Sequence, residues 1–203
     1  MIFCKLSAFL CQCKQISLTP DIFDPYQYFL DFAQEIENMC AMYEPLNIAF
    51  NNRGNSDAQL LSNLAHTPFD LDGVRWALVE AFWKALYHPE TIRPVFQEYH
   101  GIPAWAIFLN RPYPKTIQFH GQIIEVGSTD HHILMERALR AKIRQNPSVQ
   151  DALKRTRYRV YKHIPLTKDG KPYPESTTIP GEKFAHILSV LRDDWLSQNN
   201  IDD

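Results

Sequence analysis

Two ionisable side chains four residues apart in an otherwise apolar run are the first candidates for chemistry. Glu80 and Lys84 lie within Val74-Arg75-Trp76-Ala77-Leu78-Val79-Glu80-Ala81-Phe82-Trp83-Lys84-Ala85-Leu86-Tyr87-His88. With the acid first, this spacing is the favourable order for an ordinary exposed helical pair worth about 0.3–0.5 kcal/mol. A solvated pair needs a polar face around it, and here only Arg75 joins the two. A carboxylate kept among Trp76, Val79 and Trp83 carries a heavy desolvation cost unless it is paired or used. Glu80 is therefore the leading candidate for a functional carboxylate.

The element that must position it is expected to run from Pro68 to Glu90 as a turn followed by a helix. Asp70 and Asp72 offer N-cap oxygens, and Pro89 blocks continuation beyond His88. Val74, Leu78, Phe82 and Ala85 would fill one side and Trp76, Val79, Trp83 and Tyr87 the other, the pattern of a helix inside a core. Just upstream, Ser62 and Asn63 either cap backbone groups, the usual role of such residues in loops, or line a pocket beside this helix. Farther along, Thr156 to Ile164 alternates like a strand and would place Arg157, Arg159, Tyr161 and His163 on one face. That face suits a phosphate held by arginine as well as it suits plain solvation.

The remaining elements frame these candidates. Asp24-Pro25 starts an amphipathic helix through Tyr43, with Phe29, Phe32, Ala33, Ile36 and Cys40 at helical spacing, expected to cover the core while Asp31, Glu35 and Glu37 face water. A short strand is expected at Leu46 to Phe50, then a loop over Asn51 to Asp57. A hairpin turning at His120-Gly121 is expected between Ile117 and Val126. Helices follow from Gly127 to Asn146 and from Ser148 to Lys154, and a last one opens at Pro180-Gly181-Glu182 with Phe184, Ile187, Leu188, Leu191 and Trp195 as its stripe. His131 and His132, adjacent in a first turn, cannot both face one metal, so they read as surface or hydrogen-bonding groups. Pro165 to Pro174 offers no core residue beyond Leu166 and reads as a mobile linker.

The totals set the frame. With 203 residues, 45% hydrophobic and 22% charged, the chain holds one substantial core, and a formal charge of -2 argues against strong nonspecific nucleic-acid binding. Cys4, Cys11, Cys13 and Cys40 all fall early, which argues against a disulfide scaffold and makes a reducing, cytoplasmic setting the default; Cys11-x-Cys13 is a weak zinc signal. The apolar run Ile2 to Leu10 contains Lys5 and is too short for a membrane span, so no membrane association is expected.

Several separated blocks then resemble the NADAR family. They are Leu61-Ser62-Asn63-Leu64, Pro68-Phe69, Leu71-Asp72-Gly73, Trp76, Val79-Glu80, and later Met135 to Lys142 with Gln145-Asn146-Pro147 and Ala152-Leu153. Glu175-Ser176-Thr177 with Phe184, Leu188 and Arg192 resembles the ending of a phage-type branch. The resemblance implies an α+β fold, predominantly helical, with a few short strands in one compact domain over 46–203, preceded by an N-terminal extension over 1–45.

The resemblance also implies chemistry: hydrolysis of N-glycosidic bonds, either in ribosylamino intermediates of riboflavin synthesis or in ADP-ribose attached to guanine. Glu80 would then stabilise an oxocarbenium-like ribose or activate water. Asn63 and Ser62 would hold base or ribose, Trp76 would supply an aromatic wall, and Arg53 or Arg159 would meet phosphate. Tyr87 stands where the family usually carries a lysine, and Trp105 where it carries a second; Lys84, one turn after Glu80, is expected to replace the first. The implied partner is a small nucleotide or an ADP-ribosylated nucleobase, extending to nucleic acid carrying ADP-ribose, with no cofactor or metal. The rival expectation is a module of the same fold that binds ADP-ribose or another nucleotide without turnover. Glu80 open to a concave pocket with Asn63 and an arginine would favour the enzyme, whereas Glu80 sealed against Lys84 in the core would sink the enzyme reading.

Overall fold

Backbone conformation at Asp72 and Gly73 decides how the central stretch is built. Both have positive φ, 52° and 77°, the pairing that closes a two-residue hairpin turn of type I′, for which Asp-Gly is among the favoured sequences. In this computed structural model, which describes residues 25–49, 54–99, 113–167, 169–174, 176 and 178–199, the expected long helix is replaced by strand β2 (Phe69–Leu71), strand β3 (Val74–Trp76) and a short helix α3 (Val79–Ala85). Phe69 pairs with Trp76 and Leu71 with Val74 in antiparallel register.

Asp70 and Asp72 therefore do not cap a helix. Asp70 meets Arg75 at 2.9 Å, and Asp72 meets Arg137 at 2.6 Å. The residue before α3 is Leu78, which makes no side-chain cap.

The other elements follow the sequence more closely. Helix α1 spans Pro25–Tyr43, as the spacing predicts, with Asp31 and Glu35 exposed. The chain divides into two compact units, Met1–Met42 and Tyr43–Asp203. Within the second, β1 is Leu46–Asn47 and α2 is Ser56–Leu61; α2 begins inside the expected loop because the Asn55 side chain accepts the Ala58 amide at 2.9 Å. A 3-10 helix covers Glu90–Phe96. Strands β4 (Thr116–Phe119) and β5 (Gln122–Glu125) form the expected hairpin around His120-Gly121, again with positive φ at both turn residues.

Helix α4 (Thr129–Gln145) is capped by Ser128, whose hydroxyl accepts the His131 amide. Helix α5 (Pro147–Arg155) follows with proline in its first turn. Strand β6 is only Tyr161–Lys162, paired parallel with β1, and α6 covers Gly181–Gln198. The expected strand face dissolves: Tyr161 is buried, and Arg157 lies over the Tyr158 ring with its guanidinium 4.5 Å from the centroid. The Pro165 to Pro174 stretch folds back on itself, with Leu166 bridged to Pro172 and the Tyr173 amide donating to the Pro165 carbonyl.

The fold is α+β and predominantly helical, with short strands paired two by two among the described residues. The core is formed by α3 together with the inner faces of α4, α5 and α6, and by Leu46, Ile48, Phe69 and Ile117 from the strands and their margins. Helix α4 packs against β2, α3, α5 and α6, so it is the element around which the second unit is assembled. No helix among the described residues is long and apolar enough to cross a membrane.

Candidate functional site

Every residue of α3, Val79 to Ala85, is buried, including Glu80 and Lys84. A helix of this length gains little from its own hydrogen bonds, and its hydrophobic surroundings hold it in place. Its first turn still has amides to satisfy. The Glu80 amide donates to the Asn63 carbonyl at 2.9 Å, and the Ala77 amide just ahead of the helix donates to the Gln97 carbonyl at 2.9 Å. Asn63 thus fixes the start of α3 through its backbone.

Its side chain reaches the same residue. Asn63 Nδ2 donates to Glu80 Oε2 at 2.5 Å, and Lys84 Nζ lies 3.4 Å from Glu80 Oε1. Lys84 then donates to the Tyr113 hydroxyl at 2.7 Å, with its ammonium 5.0 Å from the centre of the Tyr113 ring. Asn63 and Tyr113 are half-buried whereas Glu80 and Lys84 are only 6% and 5% exposed. The result is a polar chain, Asn63 to Glu80 to Lys84 to Tyr113, with a buried ion pair in the middle and half-exposed groups at both ends.

Burial pushes the Glu80 carboxyl above its ordinary pKa, and the lowering by Lys84 is the smaller effect. Burial pushes Lys84 down, but the Glu80 charge and the Tyr113 hydroxyl together outweigh it and hold the ammonium above its ordinary value. Among the described residues each Glu80 oxygen has one partner, and a carboxylate oxygen can accept from more than one donor. Such a carboxylate can face a developing cation or accept a proton from water.

An aromatic cluster adjoins the pair through Tyr113. Trp83 stacks on His131 with centroids 4.2 Å apart, and Tyr87 packs against Tyr113 at 4.8 Å and His131 at 5.7 Å. His131 is fully buried rather than at the surface, since its Nδ1 accepts the Gly127 amide at 3.0 Å and the Trp83 ring covers its face. Burial, with a smaller push from His132, lowers its pKa to about 4. His132 bonds the Thr178 carbonyl at 3.0 Å.

Of the residues singled out from sequence, Glu80, Lys84 and Asn63 meet directly, and Tyr87 borders them through Tyr113. Ser62 adjoins through the backbone, and its hydroxyl accepts the Leu64 amide at 3.3 Å, the capping role rather than a lining one. Trp76 packs edge-on against Phe82 at 5.4 Å. Arg159 donates to the Glu44 carbonyl at 2.7 Å and, among the described residues, shares no hydrogen bond with the Glu80 network. Arg53, Trp105, Glu175, Thr177 and Cys11-x-Cys13 lie outside the described residues.

A groove of about 370 Å³ between β6 and α6, lined in part by Lys162, His163, Glu182 and His186, also shares no residue with that network. Among the described residues no group of three or more His, Cys, Asp or Glu side chains is arranged to hold a metal ion.

Set beside solved structures, this architecture has a counterpart. It matches the NMR structure of the E. coli protein YbiA with a TM-score of 0.52 and 19% identity, over 79% of this chain and 90% of that one. The chain has a YbiA-like fold. YbiA is a NADAR-family protein, and at this identity the likeness concerns the fold alone. No protein-family model matches the sequence, and no curated protein matches it.

Two residues that touch this network or its supports carry no clear signal in the sequence. Tyr113 lies in a proline-rich connection whose course no periodicity reveals. Lys142 occupies an amphipathic helix, where lysine ordinarily faces water, yet it is 1% exposed and donates to the Ser62 carbonyl at 2.6 Å. The signal for Lys142 was its register: it falls between the apolar positions Leu139 and Ile143 on a helix that also buries Leu134 and Ala138.

Proposed function

We propose that the chain hydrolyses an N-glycosidic bond in a ribosylated or ADP-ribosylated base, such as ADP-ribosyl-guanine or a ribosylaminopyrimidine phosphate. The observation that carries this reading is the buried Glu80-Lys84 pair flanked by the half-exposed Asn63 and Tyr113. The YbiA-like fold and the NADAR resemblance support a nucleotide-type ligand.

In the proposed reaction the C1′–N bond breaks with its electron pair leaving on the base nitrogen, and positive charge builds on C1′ and the ring oxygen. The Glu80 carboxylate stabilises that charge. Water then attacks C1′ and gives a proton to Glu80, while Lys84 supplies a proton to the departing nitrogen. Proton return from Glu80 to Lys84 across their contact restores the starting state, so base, ribose and one water balance. Asn63 holds Glu80 in the required orientation and presents its half-exposed amide to base or ribose.

One observation favours a second reading. Glu80 is buried against Lys84 and bonds no arginine among the described residues, so its contact with the half-exposed Asn63 is what separates it from a sealed pair; a nucleotide-binding module without catalysis accommodates this burial.

Incubation with ADP-ribosylated guanosine, ribosylaminopyrimidine phosphate and NAD, with released base or sugar followed by mass spectrometry, separates the two. Hydrolysis is expected for at least one substrate, and Glu80→Gln is expected to abolish it. Intact hydrolysis in Lys84→Ala would remove lysine from the mechanism. Measurable ADP-ribose binding with no release from any substrate would establish the module instead.

A further inference from the structure

Lys142 is buried without a carboxylate opposite it among the described residues. Its amine donates to the Ser62 carbonyl at 2.6 Å. Burial alone pushes its pKa down to about 7. A methionine of similar length would fill the same space without desolvating an amine, so core packing gives no reason for a lysine here. The contact it makes does.

Ser62 is the hinge of the turn between α2 and the hairpin. Its amide donates to the carbonyls of Ala58 and Gln59 at 3.1 and 3.2 Å, and its own carbonyl accepts the Ala65 amide at 3.1 Å as well as Lys142. That carbonyl belongs to the peptide unit joining Ser62 to Asn63. The next residue, Asn63, holds both the Glu80 amide and the Glu80 carboxylate. Lys142 is therefore one peptide unit away from the group that orients Glu80.

The same end of α4 makes further fastenings. Gln145 pairs with both backbone groups of Asp70, at 2.8 and 2.9 Å, and Asn146 donates to the Pro68 carbonyl at 3.0 Å. Residues 142, 145 and 146 are thus related by helical spacing and grip the turn and the strand that precede α3.

We infer that Lys142 is a positioning residue for the Asn63-Glu80 pair, fixing the Ser62-Asn63 peptide so that Asn63 can hold Glu80 by backbone and side chain together. The geometric part stands independently; its consequence for catalysis rests on the N-glycosidase reading above.

Amide hydrogen exchange tests the geometry directly. Lys142→Met, folded by thermal melt, is expected to raise exchange at the Glu80 amide roughly tenfold, a change equivalent to about 1.4 kcal/mol in the local opening equilibrium. Exchange at the Leu86 amide, which bonds Phe82 at the far end of α3, is expected to stay unchanged. Lys142→Gln, whose amide still donates, is expected to recover part of the protection.

Unchanged exchange at Glu80 in folded Lys142→Met, or an equal rise along the whole of α3, overturns the inference. Should Lys142→Met fail to fold, a through-hydrogen-bond coupling between the Lys142 amine nitrogen and the Ser62 carbonyl carbon decides it in the wild type. Its presence supports the inference and its absence overturns it. Where a hydrolysed substrate has been found, Lys142→Gln is expected to lower kcat with KM little changed. If no form of the protein turns over, the exchange result still stands while the N-glycosidase reading falls.

Discussion

At Glu80 and Lys84 the balance is between desolvation and pairing. Two charges removed from water regain at best about what they lose, whereas one left alone is strongly unfavourable. Lys84→Met is accordingly expected to destabilise the fold by about 3–5 kcal/mol, less whatever Glu80 recovers by taking up a proton. The double variant Glu80→Gln, Lys84→Met is expected to be much closer to wild type, because no uncompensated charge remains. Urea unfolding of the wild type, Lys84→Met, Glu80→Gln and the double variant checks this, and an additive double variant would mean the two groups do not act as a pair. The burial of Glu80 was legible because its sequence neighbours left it no polar face. Lys84 followed from spacing. Tyr113 was not legible, because its approach to Lys84 depends on how the connection before β4 returns to α3, a long-range closure with no local signature.

At the level of elements, Asp and Gly were each read for only one of their two meanings. Asp70 and Asp72 ahead of an apolar run satisfy the pattern of a helix start, but Asp72-Gly73 equally satisfies a type I′ hairpin turn, and strand pairing between Phe69 and Trp76 favours the second. The His120-Gly121 turn was read correctly because its flanks alternate and offer no rival helix. The two turns predict the same mutational behaviour. Gly73 has φ of 77° with open space around its α-carbon, so a side chain meets backbone strain rather than a clash. Gly73→Val is expected to cost about 1–2 kcal/mol and Gly73→Asn distinctly less, since asparagine tolerates this conformation. Thermal or urea midpoints of the two variants check it, and equal losses would show that the turn, not the residue's conformational freedom, sets the cost. Because the hairpin leads into α3, its integrity also bears on the placement of Glu80.

For the molecule as a whole, the helices of the second unit close around side chains whose ionisation they oppose. Burial holds both His131 and His163 down at about 4, whereas in the unfolded chain each titrates near 6.5. Protonation is therefore favoured in the unfolded state between those values, so the contribution of the two histidines is fully present above about pH 6.5 and is lost as the pH falls toward 4. Lys142 acts in the same direction over a higher window. Its folded pKa of about 7 lies below the unfolded 10.5, so the neutral amine is favoured on folding and stability rises with pH across that interval. The two histidines are expected to push the urea midpoint up from pH 4 to 6.5, and the raised Glu80 carboxyl, which favours the folded state at the acid end, opposes part of that climb. His131→Gln, which stays neutral and can still accept the Gly127 amide, is expected to remove roughly half of the histidine contribution to that slope, His163 supplying the other half. The residual slope of His131→Gln is the informative quantity. An unchanged slope would mean that His131 is not held neutral between Trp83 and Tyr87, and that the aromatic cluster around it is more open to water than its packing requires.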